Sequence, residues 1–187
     1  MNQRARSEQR GERSIMWCVV VGAALALLAP VASGHNSGSG SDQQASTIRL
    51  RAKLDARQVQ VAGGQETKVP NASGLFTATL TGNKLSWTLT YRGLSGPANG
   101  AHIHIAKPGA SRWEPVIGLC GLQADAKQPA TCKPGVHGTA TVHAGTLYTI
   151  SASKVRNAIL NGGAYVNVHT PKNYTEGEIR GQIEVAK

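Results

Sequence analysis

The sequence predicts an all-β domain, a Greek-key β-sandwich or barrel with one short helix. Three observations support this fold class: apolar and polar residues alternate in several short segments, turns containing glycine or proline separate these segments, and a helical pattern occurs in one place. Many short strands joined by such turns are typical of sandwiches and barrels. We therefore expect one domain over residues 47–187.

The strands are predicted in chain order from this alternation. Segment 47–54 (TIRLRAKL) alternates apolar with mostly basic residues, and segments 74–80 (GLFTATL) and 84–91 (KLSWTLTY) flank the short turn TGN, which is typical of a hairpin. The other predicted strands are AHIHI (101–105), TATV (139–142), LYTIS (147–151), AYVNVHT (164–170) and GEIRGQIEV (177–185). The helix is predicted in SKVRNAILNGG, with Ser153 as its cap and Gly162 as its end.

The N-terminal segment, residues 1–34, has the pattern of a secretory signal peptide. Arginines precede the apolar run IMWCVVVGAALALLAP, and the small residues VASG follow it, so we expect cleavage near Ser33 or Gly34. An uncleaved membrane anchor is the alternative, but the run is short for a span of about 20 residues. Residues 35–46 are rich in Gly and Ser and are predicted to be a flexible linker. We therefore expect an exported protein, periplasmic or secreted, with no stable membrane span after cleavage.

The charge of the expected mature chain argues against nucleic acid as a partner. Of the 20 Lys and Arg, four lie in residues 1–34, and of the 10 Asp and Glu, two lie there, which leaves a formal charge of +8. These charges are scattered and the few aromatic residues do not alternate with them, whereas a nucleic-acid groove needs clustered charge. The expected partners are a metal ion and an envelope or extracellular protein or polysaccharide.

Two cysteines, Cys120 and Cys132, remain after the expected cleavage. An even number in an exported chain predicts a disulfide, which would close the loop CGLQADAKQPATC and contribute about 3 kcal/mol through loop entropy. Two thiolate metal ligands are the alternative, but an oxidising compartment favours the disulfide.

Three histidines are predicted to share one face of two strands. In GAHIHIAKPG, His102 and His104 are two positions apart, so they point the same way in a strand, opposite to Ile103. In AYVNVHT, His169 lies on the same face as Asn167, and the two valines lie on the other. If the two strands are neighbours and their isoleucines and valines enter the core, the three imidazoles project outward and converge.

Three neutral imidazoles suit copper or zinc. We predict a surface metal site for copper or zinc formed by His102, His104 and His169; His137 and His143, near strand ends, are the candidates for an additional ligand. The alternative is a set of histidines that hydrogen-bond to loops without metal. Since ligand imidazoles must be neutral, metal binding should weaken below about pH 6.

The sequence gives little support for an enzyme. It has no Gly-x-Ser-x-Gly motif, and no cysteine stays free once the disulfide forms. Glu176 and Glu178 are candidates for paired-carboxylate chemistry, but acidic residues beside a turn are usually solvated. We predict instead a structural polar network of Asn167, Glu178 and Arg180, in which Arg180 makes an ion pair or holds a loop, and we place Val185 in a position that suits the core.

Several motifs resemble a known family. GAHIH, AYVNVHT and GEIRGQI resemble landmarks of the CHRD domain, named for its occurrence in chordin, and GGQETKVP with NASGLFTATL resembles its opening segment; together they run from about Ile48 to Val185. One departure is TPKNYTEGEIRG, where the family often has Asn-Pro and this chain has Asn173 followed by Tyr174. The resemblance implies an extracellular or envelope domain with an all-β fold, and no well-established activity.

A looser likeness concerns the His-x-His strand, which is similar to the copper strand of Cu,Zn superoxide dismutases. This likeness implies that His102 and His104 are copper ligands and that His169 is a third, which makes copper the expected ion and zinc the less favoured one. The zinc-loop pattern of those enzymes is not visible between Lys107 and Val142, so we expect little or no copper-dependent activity on superoxide. The predicted function is an exported copper-binding protein of the cell envelope; the alternative is a non-catalytic extracellular interaction domain without metal.

Overall fold

An antiparallel sheet forms the framework of the domain. The computed structural model describes residues 45–60, 69–110, 115–143, 150–173 and 175–187, so the predicted signal peptide and most of the predicted linker lie outside the described residues. Within these ranges the strands are β1 Thr47–Asp55, β2 Ser73–Thr81, β3 Lys84–Arg92, β4 Gly100–Ile105, β5 Pro115–Gly121, β6 Val136–Thr141, β7 Ala164–His169, β8 Ile179–Gln182 and β9 Glu184–Val185, and the helix is α1 Ala152–Leu160.

The strand order brings together segments that are far apart in the chain. It runs β5-β4-β7-β8-β1-β2-β3-β6, with β9 pairing with β1, and every pair is antiparallel. The terminal strands β5 and β6 approach each other, so the sheet is nearly closed like a barrel. The prediction of an all-β fold with one helix is confirmed. None of the described helices is long and apolar enough to cross a membrane.

The β2–β3 hairpin shows why alternation predicted the strands correctly. Phe76 and Leu80 on β2, and Leu85 and Leu89 on β3, are completely buried, while the threonines and the serine between them face solvent. Thr81 pairs with Lys84, so the turn consists of two residues, of which Gly82 has a positive φ of 57°. A glycine adopts this conformation without steric cost.

Strand β5 was not predicted, because its sequence, PVIGLCG, is a continuous apolar run. Residues 116–120 are all buried, so this strand has no solvent-facing side to produce alternation. Its Cys120 forms the predicted disulfide with Cys132, with the two Cα atoms 5.3 Å apart.

Three local predictions at the C-terminal end of the chain were wrong. The N-cap of α1 is Ser151, not Ser153: the Ser151 hydroxyl accepts a hydrogen bond from the backbone N–H of Lys154 at 3.4 Å. The last predicted strand is divided into β8 and β9 at Ile183. Val185, which was predicted to suit the core, is 45% exposed; it is the last residue of the two-residue strand β9, which pairs with β1. The predicted strand at 147–151 is a separate case: most of it lies outside the described residues, so it stays a prediction.

Candidate metal centre

One face of β4 and β7 carries the three predicted ligands. The two strands pair directly, with Gly100 opposite His169, His102 opposite Asn167 and His104 opposite Tyr165. The intervening isoleucine and valines are completely buried in the core on the other face. The alternation of side chains therefore places the three imidazoles together.

The three imidazoles converge closely enough to surround one ion. One ring nitrogen from each of His102, His104 and His169 lies within 4.8 Å of the other two. An ion equidistant from three atoms at that separation would be about 2.8 Å from each, and a metal–imidazole bond is about 2.0–2.1 Å long. Movements of each ring by less than about 1 Å would therefore complete the coordination.

The histidine face is buried, and the prediction of a surface cluster was wrong. His102, His104 and His169 are only 1%, 2% and 4% exposed. The segment after β5, residues 122–131, lies in the loop that the disulfide closes and folds back over this face at His102. We call it the covering loop.

Two glycines let the covering loop approach the sheet. A Cβ at Gly118, which pairs with His102, would lie 2.0 Å from the carbonyl oxygen of Gln123. A Cβ at Gly100 would lie 3.2 Å from the carbonyl oxygen of Leu122. Only a residue without a side chain allows the loop backbone to lie against β5 at Gly118.

The covering loop also fixes the tautomer of His102. Its Nε2 lies 2.6 Å from the carbonyl oxygen of Leu122, and because a carbonyl oxygen can only accept, Nε2 carries the hydrogen. The other ring nitrogen, Nδ1, then holds the lone pair; it is buried and has no hydrogen-bond partner among the described residues. A ligand histidine commonly donates its second N–H to a carbonyl group in this way.

Burial keeps the His102 imidazole neutral. It lowers the pKa of His102 below the ordinary 6.5, and the Leu122 hydrogen bond and the negative charge of Asp125 offset this only in part. A neutral imidazole is the form that binds metal.

An aromatic stack packs against the second ligand. The rings of His104 and Tyr165 are stacked, with centroids 5.0 Å apart and planes 7° apart. The guanidinium carbon of Arg180 lies 3.5 Å from the centroid of the Tyr165 ring, and Arg180 Nη2 donates to the carbonyl of Lys107 at 3.4 Å. Arg180 therefore connects the ring beside His104 to the chain that follows β4.

Glu178 is buried beside this face, which corrects the expectation of a solvated acid. Its carboxylate accepts hydrogen bonds from the backbone N–H and the hydroxyl of Ser95, from the Thr170 hydroxyl and from the Asn173 amide. Burial raises the pKa of Glu178, but these hydrogen bonds together outweigh it and leave the pKa below its ordinary value. The nearby Asn167 amide donates to the Glu176 carbonyl at 2.8 Å.

Replacing Glu178 with glutamine is expected to lower the free energy of unfolding at pH 7 by about 2–4 kcal/mol, because buried donors lose a charged acceptor. A depressed carboxyl pKa stabilises the fold above its ordinary value of 4.5, and this contribution disappears as pH falls through the folded-state pKa. Denaturant titrations from pH 7 to pH 3 should therefore show the wild type and Glu178→Gln converging at low pH. A constant difference across that range would contradict this account.

The two candidates for an additional ligand do not join the cluster. His137 is an exposed residue of β6 whose Nδ1 lies 3.4 Å from the carbonyl oxygen of Gly135, and His143 Nε2 lies 3.0 Å from an oxygen of Asp125. In the part of the chain that the structure describes, the group of closely spaced ligand atoms consists of His102, His104 and His169. The sequence analysis missed Leu122, whose contribution is a backbone carbonyl and leaves no side-chain signal.

The comparison with protein families agrees with the resemblance read from the motifs. The family model described as the CHRD domain matches residues 50–183, most of the chain. The chain belongs to the CHRD domain family. The CHRD domain is an extracellular-type domain, and the matched range contains the histidine cluster and the Glu178 network. No curated protein matches the chain.

Proposed function

We propose that this CHRD-domain protein is exported and binds a copper ion through His102, His104 and His169. The single observation that carries the proposal is the convergence of three buried ring nitrogens within 4.8 Å. The orientation of His102 supports it, because the Leu122 carbonyl holds Nε2–H and leaves Nδ1 as a buried lone pair. A lone pair without a hydrogen bond in a buried site is costly unless it has a ligand.

The donor set supports copper over zinc. Imidazole binds both ions, but divalent copper binds a given set of nitrogen ligands more tightly. The ligands come from strands rather than from loops, which favours a rigid site. The cover over the three rings supports a role in holding or delivering the ion rather than in turning over a substrate at an open position.

Export is supported by two observations. Residues 1–34 have the pattern of a signal peptide, and Cys120 and Cys132 form a disulfide, which persists in oxidising compartments. A binding protein of the periplasm or the extracellular space fits both observations.

Equilibrium titration of the metal-free protein with Cu(II) and Zn(II) tests the proposal. We expect one copper ion per chain, tighter binding of copper than of zinc, and an increase in Tm of about 5–10 °C at an excess of about 100 Kd. The variant His137→Ala removes an exposed histidine outside the cluster and should behave like the wild type. Equal weakening by His137→Ala and His169→Ala would contradict the proposal.

A second candidate is a CHRD interaction domain that uses these histidines only structurally. The Leu122 hydrogen bond of His102 and the Tyr165 stack of His104 favour it, since both contacts stabilise the fold without metal. This candidate predicts that a chelator leaves Tm unchanged and that Cu(II) adds no stabilisation.

A further inference from the structure

The solvent-facing side of β1, β2, β3 and β6 carries a groove of about 670 Å³ that the metal site does not use. We call it the outer groove. Its volume lies within the range of about 300–1,000 Å³ that is typical of small-molecule binding sites. On β1 it is lined by Arg49 and Arg51, and across the sheet by hydroxyl side chains and His137.

The strand register arranges these groups in two parallel rows. In the first row, Arg49 is followed across the sheet by Thr79, Ser86 and Thr139. In the second row, Arg51 is followed by Thr77, Thr88 and His137. Each row thus begins with an arginine and continues over hydroxyl groups on adjacent strands.

We propose that the outer groove binds a linear, carboxylated polysaccharide. The planar guanidinium group of an arginine pairs with a carboxylate through two parallel hydrogen bonds. Serine and threonine hydroxyls both donate and accept, so they match the hydroxyl groups of a sugar ring. Successive arginines on the same face of β1 are about 6.6–6.8 Å apart along the strand, which lets one chain contact both.

The charge around the groove favours an anionic ligand. Lys53 continues the row of cations along β1, and Lys84 is the first residue of β3. Among the described residues, Glu184 is the acidic group that pairs with a groove arginine, 3.8 Å from Arg51 Nε, and both side chains of this pair are about half exposed or more. Such a surface ion pair is weak, so a polyanion can replace it.

Other classes of partner fit this surface less well. Trp87 borders the groove but is only 3% exposed, so its ring is not available to stack on a nucleic-acid base. The side chains of the two rows are polar, and the apolar residues between the rows, Leu50, Ala78 and Trp87, are buried, whereas a protein interface exposes an apolar centre.

Binding of the purified protein to polygalacturonate, measured by calorimetry at low ionic strength, tests the proposal. We expect the double variant Arg49→Glu, Arg51→Glu to bind at least about 10-fold more weakly. The double variant Arg49→Lys, Arg51→Lys keeps the positive charge but cannot form the bidentate hydrogen bonds of a guanidinium group with a carboxylate. It should weaken binding about 3- to 10-fold. Lys172→Glu, at an exposed lysine that does not line the groove, is the matched control and should bind nearly as the wild type does.

The comparison ligands separate this proposal from its alternatives. Dextran, a neutral polysaccharide, should not bind measurably, and a DNA duplex should bind more weakly than polygalacturonate. Thr77→Ala, Thr88→Ala provides a charge-neutral variant that should also weaken binding if the hydroxyl rows contact the sugar. Absence of polygalacturonate binding, equal binding of DNA, or equal losses in the Lys172→Glu control would overturn the proposal. Metal-free and copper-loaded protein should bind alike, which keeps this result independent of the proposed copper site.

Discussion

Replacing His102 and His104 together with alanine is expected to abolish the stabilisation of the protein by copper. Two of the three converging imidazoles are lost, and one remaining histidine cannot hold an ion in a buried site. Loss of a residue that only orients a ligand costs about 10- to 100-fold in metal affinity, so loss of two ligands should cost at least about 100-fold. The measurement is Tm with and without Cu(II), together with the metal content of the dialysed protein.

The stability of the metal-free double variant provides the control for this experiment. Both side chains are buried, so their removal should lower the free energy of unfolding by about 1–4 kcal/mol even without metal. A loss of copper stabilisation in a variant that still unfolds cooperatively supports the ligand role. Copper stabilisation that equals that of the wild type would refute it.

Removing the disulfide is expected to weaken both the fold and the metal site. In the variant Cys120→Ala, Cys132→Ala the covering loop is no longer closed, which should cost about 3 kcal/mol of unfolding free energy. The same loop supplies the Leu122 carbonyl that fixes the His102 tautomer, so we also expect metal affinity to fall about 10- to 100-fold. The measurements are denaturant unfolding of the metal-free protein and titration of the variant and the wild type with Cu(II).

The matched control for the disulfide variant is Leu122→Ala. The Leu122 side chain is 52% exposed, and the substitution leaves its backbone carbonyl in place. Metal affinity should therefore stay near that of the wild type in Leu122→Ala and fall in the disulfide variant. An unchanged affinity in the disulfide variant would show that the covering loop does not orient His102.

The sequence predicted the shared face of the histidines because that depends only on alternation. His102 and His104 are two residues apart, and the core isoleucine and valines between and beside the ligands determine which way the strands face. The burial of the cluster could not be predicted in the same way. At His102 it depends on the covering loop, whose polar sequence is typical of a solvated insert, and on contacts of Gly118 that leave no pattern in the sequence.

The Glu178 network shows a second limit of reasoning from sequence. Ser95, which donates to the carboxylate with both its backbone N–H and its hydroxyl, is 83 residues away in the chain. An acidic residue next to a turn is usually solvated, and only the long-range pairing of strands reveals that this one is enclosed by donors. Likewise, β5 lacks alternation because residues 116–120 are buried.

Electron paramagnetic resonance of the protein loaded with one equivalent of Cu(II) tests the central claim most directly. Nitrogen hyperfine structure reports how many imidazoles bind the ion. The account predicts coupling to three nitrogens in the wild type, and to two in His169→Ala, with no change in His137→Ala. A wild-type spectrum without nitrogen coupling, or one that His169→Ala leaves unchanged, would contradict the claim that these three residues form a copper site.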